Sequence, residues 1–242
     1  AVLGLILLSS LISVVLIIKQ PSLSASLVNL FVTFALLFIA GLDYKYIYRT
    51  LAIILPTGIF LIWDAMREKH LLIDKFLETY QIKRITSLIK SDPSSPDYYQ
   101  TNNSMHAIGS GQIFGKGLYN GTVNRLNYLP ESHNDFIFSV IGEEFGFIGC
   151  IIILCLLFSI IYICFRVAKN SNLFLGKLIA TGIAAMFMFQ TFVHVGVTTG
   201  ILPNTGMPLP FVSYGGSSMI VNMMAIGIII NISFLSNKKL LY

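Results

Sequence analysis

Apolar runs of about 20 residues, each closed by a polar or charged break, recur along this chain, and that length is what an α-helix needs to cross the hydrocarbon core of a bilayer. Residues 1–18 form the first run, ended by Lys19-Gln20-Pro21. Residues 24–41 form the second, ended by Gly41-Leu42-Asp43. Residues 47–64 form the third, with Pro56 predicted as a kink. A polar stretch follows from about 65 to 134. The fourth run, about 136–165, is long enough to tilt or to begin outside the core. The fifth covers about 175–199 and the sixth about 214–235, closed by Asn237-Lys238-Lys239. The pattern predicts an all-α polytopic membrane protein with about six spans. It forms a single transmembrane domain over 1–242, with both ends on one side of the bilayer.

Composition agrees. The chain is 55% hydrophobic and 11% charged, whereas a soluble domain carries about 25% charged residues. It opens inside an apolar run at Ala1-Val2-Leu3, without Met or the basic segment of a signal peptide, and is expected to be a fragment lacking an N-terminal part. The net charge of +5 lies largely in loops. That suits membrane orientation and anionic lipid better than nucleic acid, for which no motif is present. Cys150, Cys155 and Cys164 fall in one apolar run without metal-ligand spacing and read as packing residues.

Short loops set the orientation. Lys45 and Arg49, then Arg166, Lys169 and Lys177, then Lys238 and Lys239 all fall on one face, which is cytoplasmic by the positive-inside rule. The 65–134 stretch is long and mixed in sign, so the rule does not bind it; it becomes a large extracytoplasmic loop. Within it, Leu71, Phe76, Leu77, Tyr80, Ile85 and Leu88 recur at near-helical spacing among charges, predicting one or two amphipathic helices on the membrane surface. Asp92-Pro93-Ser94-Ser95-Pro96-Asp97 is a breaker, and Gly109 to Gly117 is glycine-rich, reading as a flexible loop or a close backbone approach.

Candidate chemistry gathers between Pro130 and Gly146. Glu131, His133 and Asp135 stand directly before the fourth span, and Glu143-Glu144 fall inside it. A carboxylate at the bilayer centre costs roughly 2.5 kcal/mol or more, so such residues are usually kept for function. Asp135 sits where a general base at the membrane edge should sit; the alternative is a helix cap, a task Asn134 or Ser132 also suits. Glu131 and His133 are candidate substrate or metal contacts, or plain loop polarity. Lys116 and Arg125 are the nearest basic residues in sequence and suit an anionic group, or are solvated loop cations. Glu143 and Glu144 read as structural, pairing with polar groups in the bundle, and His194 as a packed interior residue. Ser213-Tyr214-Gly215-Gly216-Ser217 opens the last span with small residues.

These runs resemble the SEDS family of shape, elongation, division and sporulation proteins. The matching segments are Ala107-Ile108-Gly109-Ser110-Gly111, Gly115-Lys116-Gly117, Leu129-Pro130-Glu131 through His133, Asp135-Phe136-Ile137-Phe138 and Gly142-Glu143-Glu144-Phe145-Gly146. They continue with Gly200-Ile201-Leu202-Pro203, Gly206, Pro208-Leu209-Pro210 and Ser213 through Ser217. Gly115-Lys116-Gly117 with Gly121-Thr122, and Met207-Pro208-Leu209-Pro210, look more like the elongation member RodA than the division member FtsW. Family members have about ten spans, and this chain looks like the last six.

The resemblance implies a SEDS-type helical bundle. It implies a peptidoglycan glycosyltransferase that polymerises lipid II at the outer face of the bacterial cytoplasmic (inner) membrane, for cell elongation and shape. It further implies Asp135 as the catalytic residue, substrate contacts among Lys116, Arg125, Glu131, His133, Ser213 and Gly215, a divalent cation (Mg or Mn) without an assigned site, and a class B penicillin-binding protein as transpeptidase partner. A lipid II flippase and a non-catalytic scaffold for the transpeptidase are the rival readings. One departure stands out: the family's outer turn reads Q-P-D-L-G, whereas here it is Gln20-Pro21-Ser22-Leu23-Ser24, without the acid.

Overall fold

The computed structural model describes residues 23–43, 95–125, 128–130 and 132–238 together with scattered positions between 4 and 86. Among them lie the helices α1 (Leu23–Ile39), α2 (Pro96–Ser110), α3 (Thr122–Arg125), α4 (Ile137–Asn170), α5 (Phe174–Thr198) and α6 (Gly216–Lys238), and no strand. Helices α4, α5 and the 216–236 part of α6 are long and apolar enough to cross a membrane, and α1 is a shorter apolar helix. They fall on the second, fourth, fifth and sixth predicted runs, with ends displaced by a few residues. The first and third runs, the surface helices expected over 71–90 and the Asp92-Pro93-Ser94 breaker lie outside the continuously described residues.

The spans pack through small residues. Ala180 and Ala184 on α5 are fully buried against Ile161, Cys164 and Ala168 of α4 and Ala225, Ile229 and Ile232 of α6. Without a hydrophobic force between helices in lipid, close van der Waals approach must supply the association, and alanine permits it. Cys150 and Cys164 are buried, unpaired packing residues, as their sequence setting suggests, whereas Cys155 is exposed. Helix α1 lies along α5, where Phe31 stacks on Phe189 at 4.8 Å.

Helix α2 was not foreseen. It begins inside the predicted breaker, whose last two residues are helical: Pro96 stands in the first turn followed by Asp97, a favourable start for a helix. Its sequence is polar, yet it buries Thr101, Ser104 and Ala107. The Ser104 hydroxyl donates to the Thr198 carbonyl at 2.8 Å and bonds Ser139, tying α2 to α5 and α4 in one contact.

Helix α4 is broken at Gly146, whose φ of 66° and ψ of −164° are a conformation only glycine adopts readily. The break frees backbone groups that would be costly in an apolar setting. The glycine-rich loop after α2 takes them up. Lys116 and Gly117 donate their N–H groups to the Glu143 and Glu144 carbonyls, both at 3.0 Å. Phe147 and Ile148 donate to the Gln112 and Ile113 carbonyls at 2.9 and 3.2 Å. The loop is thus a backbone splint on a broken span. A Cβ at position 146 would overlap the Gly115 nitrogen and the Ile113 carbonyl. Gly146→Ala is therefore expected to cost about 2 kcal/mol or more, read as a lower Tm in detergent; an unchanged Tm would contradict the splint.

Candidate functional site at the head of the fourth span

Two supports meet at the N-terminal end of α4. The turn 132–136 leads into the helix, and the strap 199–215 connects α5 to α6 and lies against that turn. Their union is hydrogen-bonded at several points. Tyr214 donates its backbone N–H to the His133 carbonyl at 3.0 Å. The Ser213 hydroxyl donates to the Asn134 carbonyl at 2.8 Å and accepts the Leu209 N–H at 2.7 Å. The Tyr214 and His133 rings meet edge to face, centroids 5.6 Å apart. Asp135 is half-buried between these contacts, two residues before the helix begins; the position that caps α4 is Phe136.

The strap passes close to the Asp135 carboxylate at Gly206. A Cβ there would lie 3.3 Å from Oδ2, and φ at this residue is +64°, so glycine serves both the bend and the approach. The strap is fixed on both sides of that point. Asn204 donates its side-chain N–H to Gln100 of α2 at 3.0 Å and accepts the Gly206 N–H at 3.2 Å. Ser24 of α1 donates to the Thr205 carbonyl. His194 of α5 bonds the Met207 carbonyl through Nδ1 at 2.7 Å. Helices α1, α2 and α5 thus all hold the backbone that faces Asp135. Leu129, Phe136, Val193, Val197 and Met207 form the apolar floor beneath.

A second cluster sits about two turns into α4. Glu143, 1% exposed, accepts at Oε1 from Lys116 Nζ at 2.7 Å, from the Thr122 N–H and hydroxyl at 2.8 and 2.9 Å, and from the Val123 N–H at 3.2 Å. Glu143 therefore joins the polar bundle contacts expected of it and receives the first N–H groups of α3 as well, which an anion at a helix start suits. Lys116 also donates to the Thr122 hydroxyl at 2.8 Å.

Of the residues singled out in the sequence, the structure brings Asp135, His133 and Ser213 to one place. Ser213 is buried, with its hydroxyl engaged by the protein on both sides. Gly215 accepts at its carbonyl from Ser218 and Met219 at the start of α6. Lys116 is held by Glu143 in the neighbouring cluster. Arg125 ends α3, with its side chain outside the described residues, as are Glu131 and Ser22. Among the described residues no three of His, Cys, Asp or Glu gather as metal ligands, and Glu131 lies outside those residues. Sequence reasoning passed over Gly206, Asn204 and Thr122 as parts of these sites. Gly206 was a motif member without a role, and the pairing of Asn204 with Gln100 has no local signal.

Comparison with known proteins gives a consistent picture. The family model for FtsW, RodA and SpoVE cell cycle proteins matches residues 2–238. A protein of Buchnera aphidicola subsp. Schizaphis graminum named probable peptidoglycan glycosyltransferase FtsW is 40% identical over 230 residues, covering 93% of this chain and 61% of that protein. One of the same name from Trichlorobacter lovleyi is 37% identical, covering 90% and 54%. A chain of a peptidoglycan synthase complex, described as coordinating polymerization and crosslinking, superposes with TM-score 0.74 at 28% identity over 96% of this chain and 62% of that one. The Thermus thermophilus rod shape determining protein RodA, crystallised as a mutant, gives 0.58 at 27% identity over 93% and 54%. This chain spans between half and two thirds of the length of each of these proteins.

Proposed function

Because the chain belongs to the SEDS family of FtsW, RodA and SpoVE cell cycle proteins, we propose that it carries the catalytic portion of a peptidoglycan glycosyltransferase that polymerises lipid II. The observation that carries this reading is Asp135. It is a carboxylate at the head of a membrane span, set against a backbone strap that three helices hold in place. Curated relatives with the division name and a solved structure with the elongation name both match, so their shared chemistry is what the likeness supports. The elongation role rests on the Gly115-Lys116-Gly117 run with Gly121-Thr122 and on the Met207-Pro208-Leu209-Pro210 run.

In that reaction a sugar hydroxyl attacks an anomeric carbon while a lipid pyrophosphate leaves. Asp135 takes the hydroxyl proton as the carbon–oxygen bond forms, a task worth about 10²–10⁴-fold for a positioned base. The strap at Gly206 leaves no side chain between itself and the carboxylate, so its backbone comes close to Oδ2 and walls that face. The departing pyrophosphate needs positive charge. Arg125, at the end of α3, and Lys116, which pairs with Glu143, are the candidate basic groups nearest in sequence. A divalent cation would arrive with the substrate's phosphates, the usual way magnesium is held. A class B penicillin-binding protein is the proposed partner, supported by the likeness to a chain of a polymerising and crosslinking complex.

The helices fit a bacterial cytoplasmic membrane with residues 95–136 and 199–215 outside. Arg166, Lys169 and Lys177 flank the turn between α4 and α5 on the other face. Cysteines introduced at the exposed positions Asn120 and Asn170 test this. An impermeant reagent added to intact cells is expected to label Asn120→Cys, and to label Asn170→Cys only after permeabilisation. The reverse pattern would overturn the orientation.

A further inference from the structure

His194 lies within a membrane-spanning helix and is 1% exposed, buried inside the bundle. Its Nδ1 lies 2.7 Å from the Met207 carbonyl. A carbonyl oxygen only accepts, so Nδ1 carries the proton and the ring donates. Met207 follows Gly206, the residue whose backbone faces Asp135 Oδ2. The same stretch is held at Thr205 by Ser24 and at Gly206 by the Asn204 side chain. The bond from His194 attaches the strap at the residue directly after Gly206, and it comes from the buried core of the bundle.

We propose that His194 is a positioning residue for the polymerase reaction: it sets the backbone wall at Gly206-Met207 that orients the Asp135 carboxylate. The inference rests on the reading of Asp135 as the base. An imidazole buried in apolar surroundings serves here because a rigid ring fixes the direction of its donor, and α5 fixes the ring. Loss of that donor leaves the Met207 carbonyl buried and unbonded, and the strap is then free to shift toward or away from the carboxylate. A displacement of about 1 Å at a catalytic group costs on the order of 100-fold in rate. Because His194 has no part in holding substrate, the loss falls on kcat and not on KM.

The experiment uses the complete protein with its transpeptidase partner, purified lipid II as substrate, and the variants His194→Leu, His194→Asn and Gly206→Ala. Leucine fills the space without a donor, whereas asparagine carries an amide N–H near the position of Nδ1. His194→Leu is expected to lower kcat about 10-fold or more with KM within about twofold of the parent. His194→Asn is expected to recover most of that loss at similar Tm. Equal activities for the leucine and asparagine variants, or a folded His194→Leu with parental kcat, would overturn the proposal. Should His194→Leu fail to fold, Gly206→Ala decides. Its Cβ would press on Oδ2 from the wall itself and is expected to lower kcat with KM unchanged, and a parental kcat there would overturn the proposal. Asp135→Asn, run alongside, separates the two claims: if it stays active the base assignment fails, and if it is inactive while the His194 variants behave as parent, only the positioning role fails.

Discussion

Asp135→Asn is expected to lower glycan polymerisation by about 100-fold or more while leaving the fold intact. Asparagine has nearly the same size and still accepts a hydrogen bond at its carbonyl oxygen, so the turn 132–136 keeps its supports. Those supports are the Tyr214 N–H on the His133 carbonyl and the Ser213 hydroxyl on the Asn134 carbonyl, both made to backbone. What the substitution removes is the capacity to take a proton. A helix-capping role would give the opposite outcome, since asparagine caps about as well as aspartate. The capping position of α4 is moreover occupied by Phe136. The check is the rate of glycan formation from lipid II, paired with Tm in detergent. A variant with parental rate would return Asp135 to a supporting role.

Lys116→Met is expected to destabilise the region by about 3 kcal/mol, because removing one partner of a buried ion pair strands the other charge. Glu143 is 1% exposed and its second carboxylate oxygen has no hydrogen-bond partner among the described residues, so the Lys116 ammonium, the Thr122 hydroxyl and the α3 amides at the first oxygen carry its stabilisation. The side chain of Lys116 is 26% exposed, which places the estimate at the lower end of the range for such pairs. Adding Glu143→Gln to Lys116→Met removes the stranded charge while keeping an acceptor for Thr122 and Val123. The double variant is therefore expected to be more stable than Lys116→Met alone. Thermal unfolding in detergent measures both. A double variant less stable than the single one would mean that the charge on Glu143 is not what Lys116 balances.

The membrane helices were legible because twenty apolar residues in a row have few other fates. Runs 24–41, 136–165, 175–199 and 214–235 each became a helix with similar ends. The break at Gly146 was not legible, since hydropathy continues smoothly across it and a positive φ leaves no mark other than a glycine among many. Helix α2 escaped for the opposite reason: its buried face is Thr101, Ser104 and Ala107, which gives no apolar period, and its contacts are hydrogen bonds to other spans. Asp135 stood out by its place before a span. The strap that faces it did not, because Asn204, Gly206, Met207 and Ser213 lie some 70 residues away, and only folding brings them to the turn. Lys116 illustrates the limit of reading charge from sequence: a loop lysine near a proposed pyrophosphate turned out to be bonded to a buried glutamate.

The central claim is that this fold polymerises lipid II and neither only carries it across the bilayer nor merely positions a partner. The direct measurement is to incubate the complete protein and the proposed transpeptidase partner with purified lipid II, crosslinking blocked by a β-lactam, and to size the products. The expected result is a ladder of uncrosslinked glycan strands that disappears with Asp135→Asn. Lipid II recovered unpolymerised from an assembled, folded complex, or a ladder undiminished by Asp135→Asn, would contradict it.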